Sequence, residues 1–181
     1  MDADTKIIRE KRKAVKMKGR EGGAMNVFRM TLVAVLVTFS LALASEVTPV
    51  KPSREDKCPV CGMFVAKYPD FLAQIIFKDH SYALFDGVKD LFKYYFNLKK
   101  YNASKDLSDI AFIAVTDYYT MTPTDGRKAY YVVESNVFGP MGKELIPFEK
   151  EEDAKEFMVD HAGKTLIRFD AVTPDLIKGL D

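Results

Sequence analysis

The stretch LFDGVKDLFKYYF at residues 84–96 has a counterpart in PFEKEEDAKEFMV at residues 147–159. Each begins with apolar residues, passes through a short turn containing an acidic residue, and continues with apolar residues at helical spacing. The aligned pairs are Phe85 with Phe148, Asp90 with Asp153, and Tyr94 with Phe157. The match predicts that one strand-to-helix unit occurs twice in the chain.

Extended segments surround both predicted helices. The β-rich runs are residues 71–77, 82–85 and 110–118 in the first half and residues 128–135, 144–148 and 164–172 in the second. Asp86 is the predicted N-cap of the first helix, and Gly163 fits the C-terminal end of the second. The order strand, strand, helix, strand therefore predicts an α+β fold of two tandem ββαβ units, at residues 58–120 and 121–181.

The first 44 residues have the pattern of an export signal. Eight basic residues between Lys6 and Arg20, and then Arg29, precede the run MTLVAVLVTFSLALA at residues 30–44, and small residues at Ala42 and Ala44 come before Ser45. The run is shorter than the roughly 20 apolar residues of a membrane-spanning helix, which favours a cleaved signal peptide over a retained anchor. We expect cleavage after Ala44, with Met25 as an alternative start, and then a linker at residues 45–57 rich in Pro, Ser and charge.

Charge and motifs exclude several classes of function. The chain has 27 Lys and Arg and 26 Asp and Glu, of which nine and four lie in residues 1–44, so that 18 and 22 remain after cleavage. A mildly acidic domain lacks the basic surface that nucleic acids require, so we expect no nucleic-acid partner. GxGxxG, GxxxxGK[ST], GxSxG and HExxH are all absent from the sequence, and we predict that the protein is not an enzyme.

Both cysteines of the chain lie within EDKCPVCGMFVAKYPDF at residues 55–71. A thioredoxin-like redox pair requires its first cysteine at the N-terminus of a helix that lowers the thiol pKa, and Gly62 and Pro69 leave little room for such a helix. A disulfide between Cys58 and Cys61, in a domain that binds no metal, is a further interpretation, because export favours oxidation. Both interpretations stay open from the residues alone.

Metal binding is the remaining interpretation of the cysteine pair. Zinc would find four ligands in Cys58, Cys61, His80 and His161, although their spacing matches no zinc finger or ribbon. Cu(I) instead prefers soft thiolate and thioether ligands. Met63 follows the second cysteine within CGM, which places a thioether beside the thiols.

Two residues of the second half are further candidate ligands. Met141 lies in FGPMGKE, a glycine- and proline-rich loop in which an apolar side chain has no strand or helix face to join, although gap filling in a core is the usual role of Met. His161 lies in the last turn of the second predicted helix, on the face of Phe157 and Met158, where packing at the core edge or contact with the helix dipole is the alternative role. The predicted metal set is Cys58, Cys61, Met63, Met141 and His161.

The motifs CPVCGM, MGKELIPF and HAGKTLIRFD occur in this order between residues 58 and 170. With them the chain resembles the nitrous-oxide reductase accessory protein family, the NosL-like copper-binding proteins of the periplasm. The resemblance covers about residues 56–172. It implies a periplasmic Cu(I) chaperone of two ββαβ units that helps to assemble the copper–sulfur centre of nitrous-oxide reductase, in contact with that enzyme and its membrane maturation machinery.

The resemblance also raises the question of membrane attachment. Members of the family are commonly lipoproteins with an acylated cysteine at the signal junction, whereas this sequence has Ala44 and Ser45 there. We therefore expect an exported periplasmic carrier without a lipid anchor. As a mechanism, we expect the Cys61 thiolate and the Met63 thioether to hold one Cu(I), with Met141 or His161 completing the site and Cys58 acting as a ligand or as a redox partner.

Overall fold

Two antiparallel β-sheets organise residues 48–181, the part of the chain that this computed structural model describes. The predicted signal peptide at residues 1–44, its alternative start at Met25 and the Ala44–Ser45 junction lie outside the described residues. The described residues form one compact unit. No helix within them combines the length and the apolar character needed to cross a membrane.

The first sheet is built from the first half of the chain. Its elements in chain order are strand β1 (Ala73–Phe77), strand β2 (Tyr82–Phe85), helix α1 (Val88–Phe96), the short helix α2 (Leu98–Tyr101), strand β3 (Ile110–Thr116) and strand β4 (Pro123–Asp125). The strands are ordered β2-β1-β3-β4. β1 is central and fully buried because its sequence, AQIIF, carries apolar side chains for both faces of the sheet. The first sheet thus extends beyond residue 120, since β4 pairs with β3.

The second sheet repeats the arrangement. Its elements are strand β5 (Tyr130–Gly139), strand β6 (Gly142–Phe148), helix α3 (Glu151–Asp160) and strand β7 (Thr165–Arg168), with the strand order β6-β5-β7. Three acidic residues open α3, as the sequence predicts. The predicted α+β fold with the order strand, strand, helix, strand in each half is confirmed.

The β5–β6 hairpin is tighter than the sequence predicts. Residues 136–143 were expected to form a loop, but Phe138 pairs with Lys143 and Gly139 with Gly142. Pro140 and Met141 alone therefore form the tip of the hairpin. A register shift between Val133 and Phe138 accommodates the longer strand, which bends where a bulge interrupts the pairing.

Side chains on the two faces of β5 contribute to two different hydrophobic clusters. Tyr131 and Val133 face the main cluster, which also contains α1 and the first sheet, whereas Val132 faces a smaller cluster with Phe157 of α3. Side chains of successive strand residues point to opposite faces of a sheet, so one strand serves both clusters. The main cluster includes Cys58, so the cysteine motif is part of the core of the domain.

The segment after β7 is a further helical element that the sequence analysis did not predict. A 3₁₀ turn at Phe169–Ala171 leads into helix α4 (Pro174–Gly179), whose N-cap Thr173 accepts a hydrogen bond from the Leu176 amide at 3.2 Å. α4 packs against α1. The C-terminal helix α4 therefore lies beside α1.

Hydrogen bonds hold the segment before the first cysteine, residues 50–57, against the rest of the domain. Within the predicted linker, Val50 exchanges two hydrogen bonds with the buried side chain of Gln74 on β1, at 2.8 and 3.0 Å. Lys57 forms an isolated bridge with Phe64, and the Val65 amide donates to the Asp56 carbonyl. These bonds fix both ends of the segment that carries the cysteines.

Candidate metal centre

The CPVCGM motif forms a closed turn. The Cys58 amide donates to the Met63 carbonyl at 2.8 Å, and the Gly62 amide donates to the Cys58 carbonyl at 2.9 Å. Gly62 has φ +79°, in the left-handed region that favours glycine. Two 3₁₀ turns at Val65–Lys67 and Pro69–Phe71 follow, so no long helix begins at the cysteines. The prediction that Gly62 and Pro69 leave little room for a long helix behind the cysteines is confirmed.

Both cysteines are free thiols in this structure. Cys58 is 1% exposed and belongs to the main core, whereas Cys61 is half-buried and packs against the edge of that core. The motif therefore presents one thiol inside the domain and one at its surface.

Two aspartates meet these thiols from the other side. The Cys58 thiol donates to Asp90 Oδ2 at 3.3 Å, and the Cys61 thiol donates to Asp86 Oδ1 at 3.1 Å. Asp86 directly follows β2, and Asp90 lies in the first turn of α1. One sulfur or oxygen atom from each of the four side chains lies within 4.8 Å of all the others, which is compact enough to surround a metal ion.

The surroundings hold both thiols in their protonated form. Burial, with a smaller contribution from the carboxylates of Asp86 and Asp90, raises the pKa of the Cys61 thiol to about 12. The pKa of the Cys58 thiol is raised well above its usual range, again mainly by burial. A dithiol catalyst needs the opposite, a thiol pKa near or below neutrality.

Each of the two aspartates has one carboxylate oxygen without a hydrogen-bond partner among residues 48–181. Both side chains are at most 2% exposed, and Asp86 Oδ2 and Asp90 Oδ1 have no hydrogen-bond partner among residues 48–181. Lys93 Nζ lies 3.8 Å from Asp90 Oδ1, which is an ion-pair distance but too long for a hydrogen bond. Unpaired oxygens of this kind are costly in a protein interior, and they indicate that the cluster is organised for a ligand that brings positive charge.

Comparison with known proteins assigns the family of this chain. The NosL family profile matches residues 49–177. The chain belongs to the NosL family. It is 31% identical to the copper-binding lipoprotein NosL of Stutzerimonas stutzeri in an alignment 163 positions long that covers 82% of each protein.

The fold agrees with that of a solved NosL structure. The crystal structure of the copper chaperone NosL from Shewanella denitrificans superposes with a TM-score of 0.60 and 23% sequence identity, covering 71% of this chain and 97% of the other. At this identity the comparison supports the fold rather than individual site residues.

The two methionines predicted as ligands lie in different parts of this NosL-family chain. Met63 is half-buried and closes the cysteine turn through its carbonyl. Met141 is 42% exposed at the tip of the β5–β6 hairpin, and its carbonyl accepts a hydrogen bond from Lys89 Nζ at 2.8 Å. Lys89 is the neighbour of Asp90 in α1, so the hairpin tip is bonded to the helix that carries part of the cluster. Their roles as ligands remain predictions.

Neither histidine belongs to the cluster of thiols and carboxylates. His161 stacks on Phe157 with ring centroids 4.4 Å apart, and its Nδ1 lies 3.2 Å from Asn136 Oδ1. His80 is exposed in the β1–β2 turn. The structure therefore does not assemble the zinc set of two cysteines and two histidines, and no contact among residues 48–181 tests whether His161 binds copper.

The sequence analysis missed Asp86 and Asp90 as site residues. Asp86 was predicted to cap α1, but the N-cap is Gly87 and no side chain at that position closes the helix. The available signal was the spacing of two aspartates four residues apart, directly after a buried strand. The second half carries a similar pair, Glu149 and Asp153, without cysteines, so the spacing by itself does not distinguish a site from a solvated helix start.

Proposed function

We propose that this protein is an exported Cu(I) carrier that supplies copper for assembly of the copper–sulfur centre of nitrous-oxide reductase. The observation that carries the proposal is the convergence of both cysteine thiols with Asp86 and Asp90 in one buried cluster. Membership of the NosL family, in which relatives are named as a copper-binding protein and a copper chaperone, supports the choice of metal.

The donor atoms fit Cu(I) as transported cargo. Thiolates of Cys58 and Cys61 are soft ligands, and Met63 and Met141 offer thioethers from the same turn and from the neighbouring hairpin. Copper displaces the thiol protons when it binds, and each proton is already directed at a carboxylate oxygen of Asp86 or Asp90. The negative charge of the carboxylates thus attracts the cation, and the displaced protons pass from the thiols by way of these oxygens to solvent.

Transfer follows from the position of the two thiols. Cys61 and Met141 are accessible, whereas Cys58 is buried. A ligand from an acceptor protein can approach the metal from the side of Cys61 while Cys58 still holds it. Copper then passes between proteins by ligand exchange without release into solution, and the protein is a carrier without turnover chemistry.

A divalent metal is the second candidate cargo. Carboxylate oxygens suit harder cations than Cu(I), and a site of two thiolates and two carboxylates has the four ligands that Zn²⁺ takes. The specific observation in its favour is the pair of unpartnered oxygens on Asp86 and Asp90. Competition between Cu(I) and Zn²⁺ for the purified protein distinguishes the two cargoes.

Complementation tests the delivery step. In a denitrifying bacterium whose own NosL gene is deleted, we expect this protein to restore the copper content and activity of nitrous-oxide reductase. The Cys61→Ser variant should fail, whereas Asp153→Asn, an equivalent position in the second half without a site, should succeed. Full restoration by Cys61→Ser, or none by the unaltered protein despite normal export, would contradict the proposal.

Periplasmic location and freedom from a lipid anchor are parts of the same proposal. The chain has two cysteines, both in the folded motif, and Ala44 and Ser45 stand at the predicted junction. Fractionation of expressing cells checks both points, because the processed protein should be found in the periplasmic fraction and should carry no acyl group by mass spectrometry.

A further inference from the structure

The N-terminus of α1 is capped by a residue from the other half of the chain. The first amides of a helix have no partner within the helix, and the N-cap Gly87 has no side chain to supply one. Glu144 of β6 takes this role, since its Oε1 accepts from the Lys89 amide at 2.5 Å and from the Leu145 amide at 2.9 Å. The cap comes from 55 residues away in sequence.

Two glycines make room for this side chain. A Cβ at Gly87 would lie 2.1 Å from Glu144 Oε2, and a Cβ at Gly139 would lie 3.1 Å from Glu144 Cγ. Glu144 is 3% exposed. The close approach of helix, hairpin and carboxyl group therefore depends on residues without side chains at both positions.

Lys89 makes the reciprocal connection. Its side chain is 2% exposed, and its Nζ donates to the carbonyls of Met141 at 2.8 Å and Leu180 at 3.1 Å. The backbone of Lys89 is thus held by β6, and its side chain holds the tip of the β5–β6 hairpin. Asp90 is the next residue in α1, so both connections act on the segment that carries part of the metal cluster.

Neither residue belongs to the cluster itself. The group of potential ligands comprises Cys58, Cys61, Asp86 and Asp90. The hydrogen bonds of the Glu144 and Lys89 side chains go to backbone groups, and Lys89 Nζ also lies 3.6 Å from Asp181 Oδ1. Burial raises the pKa of Glu144 to about 8, so the carboxyl group is mainly neutral at pH 7. A neutral group that accepts two amide hydrogen bonds suits a positioning role better than metal binding.

We propose that Glu144 and Lys89 are positioning residues that hold the Met141 hairpin tip and the first turn of α1 in the relative arrangement needed for Cu(I) binding. The inference rests on the proposed copper-carrier function, because it concerns the geometry of the same site. It assigns to the second half of the chain a defined task, which is to bring a thioether to a cluster that the first half supplies.

A double-mutant cycle tests the coupling. Cu(I) affinity is measured for the unaltered protein, Met141→Leu, Glu144→Met and the double variant, with Glu144→Gln as the matched control that keeps the accepting oxygen. We expect Glu144→Gln to bind Cu(I) within about twofold of the unaltered protein. Glu144→Met should lose about tenfold in affinity, which is typical when a residue that orients metal ligands is replaced. The double variant should be no weaker than the weaker single variant. Fully additive losses, or unchanged affinity in a folded Glu144→Met variant, would overturn the proposal.

A measurement without copper separates this proposal from the proposed function. Hydrogen exchange at the Lys89 amide should be slow in the unaltered protein and in Glu144→Gln, and faster in Glu144→Met. If the unaltered protein binds no Cu(I), the carrier function fails, while this exchange pattern still reports the cap. If Glu144→Met does not fold, Lys89→Met removes the link to the Met141 carbonyl, together with the contacts of Lys89 Nζ to Leu180 and Asp181, and should also weaken Cu(I) binding about tenfold. Unchanged binding would again overturn the proposal.

Discussion

The sulfur of Cys61 lies 3.1 Å from Oδ1 of Asp86, a residue 25 positions further along the chain. The thiol belongs to a turn that is closed by backbone hydrogen bonds near the start of the domain. The carboxylate lies at the junction of β2 and α1. Their contact determines the chemistry of the motif, because a carboxylate beside a half-buried thiol opposes formation of the thiolate. The site thus keeps its protons until a cation replaces them.

Slow alkylation of the metal-free protein is the first expected consequence. Since the pKa of the Cys61 thiol is raised to about 12, iodoacetamide should modify it at pH 8 more slowly than a cysteine in an unfolded peptide. Asp86→Asn removes one cause of the raised pKa and should accelerate the reaction about threefold or more. Glu149→Gln, the exposed counterpart in the second half, serves as the control. Rapid modification of Cys61 near neutral pH would instead support a thiol–disulfide oxidoreductase.

Metal selectivity should respond to Asp90. Asp90→Asn removes a hard oxygen ligand, so we expect Zn²⁺ affinity to fall by about tenfold or more while Cu(I) affinity changes by less than about threefold. Asp153→Asn, at the half-buried equivalent position in α3, is a control that should alter neither affinity. Competition titrations with chelators for each metal provide the measurement, and an equal loss of both metals would argue that the carboxylate is a direct copper ligand.

Glu144 should make the stability of the domain depend on pH. Its pKa is raised from 4.5 to about 8, so the folded state binds a proton that the unfolded state has released between these values. The stability linked to this proton is complete below pH 4.5 and is lost as the pH rises through 8, by a few kcal/mol at about 1.4 kcal/mol per pKa unit.

Urea unfolding of matched variants measures this effect. The free energy of unfolding of Glu144→Gln, relative to the unaltered protein, should increase between pH 4.5 and 8, because Gln carries no titrating proton. Glu156→Gln, an exposed position on α3, should show no such trend. A difference between Glu144→Gln and the unaltered protein that does not vary with pH would show that Glu144 is ionised at neutral pH.

His161 should be dispensable for copper binding. Its ring faces Asn136 and Phe157 rather than the thiols, so His161→Gln should keep Cu(I) affinity within about twofold of the unaltered protein. The same titration that tests the cysteines measures it. A loss comparable to that of Cys61→Ser would return His161 to the ligand set that the sequence suggests.

Local patterns predicted the fold well because the repeated unit is encoded in short segments. Apolar spacing around Phe85 and Phe148 marks the strand-to-helix junctions, and acidic residues mark the start of α3. Helix α4 was missed because it is short and has few apolar positions. Its stability depends on packing against α1, which the sequence does not show.

The candidate site was predicted only in part. The thiols were evident because both cysteines lie in one motif. Asp86 was taken for a helix cap because such a position usually caps, whereas here Glu144 supplies the cap from a distant strand. A contact between residues far apart in sequence leaves no local pattern, so the pairing of aspartates with thiols became visible only in three dimensions.

The central claim is that the cysteine cluster binds Cu(I), and anaerobic titration against a chromophoric Cu(I) chelator tests it most directly. We predict tight binding of one Cu(I) per protein, a loss of about 100-fold or more in Cys61→Ser, and a smaller loss in Met63→Leu and Met141→Leu, whose changes conserve volume. Binding no tighter than background, or binding indifferent to all three substitutions, would contradict the account.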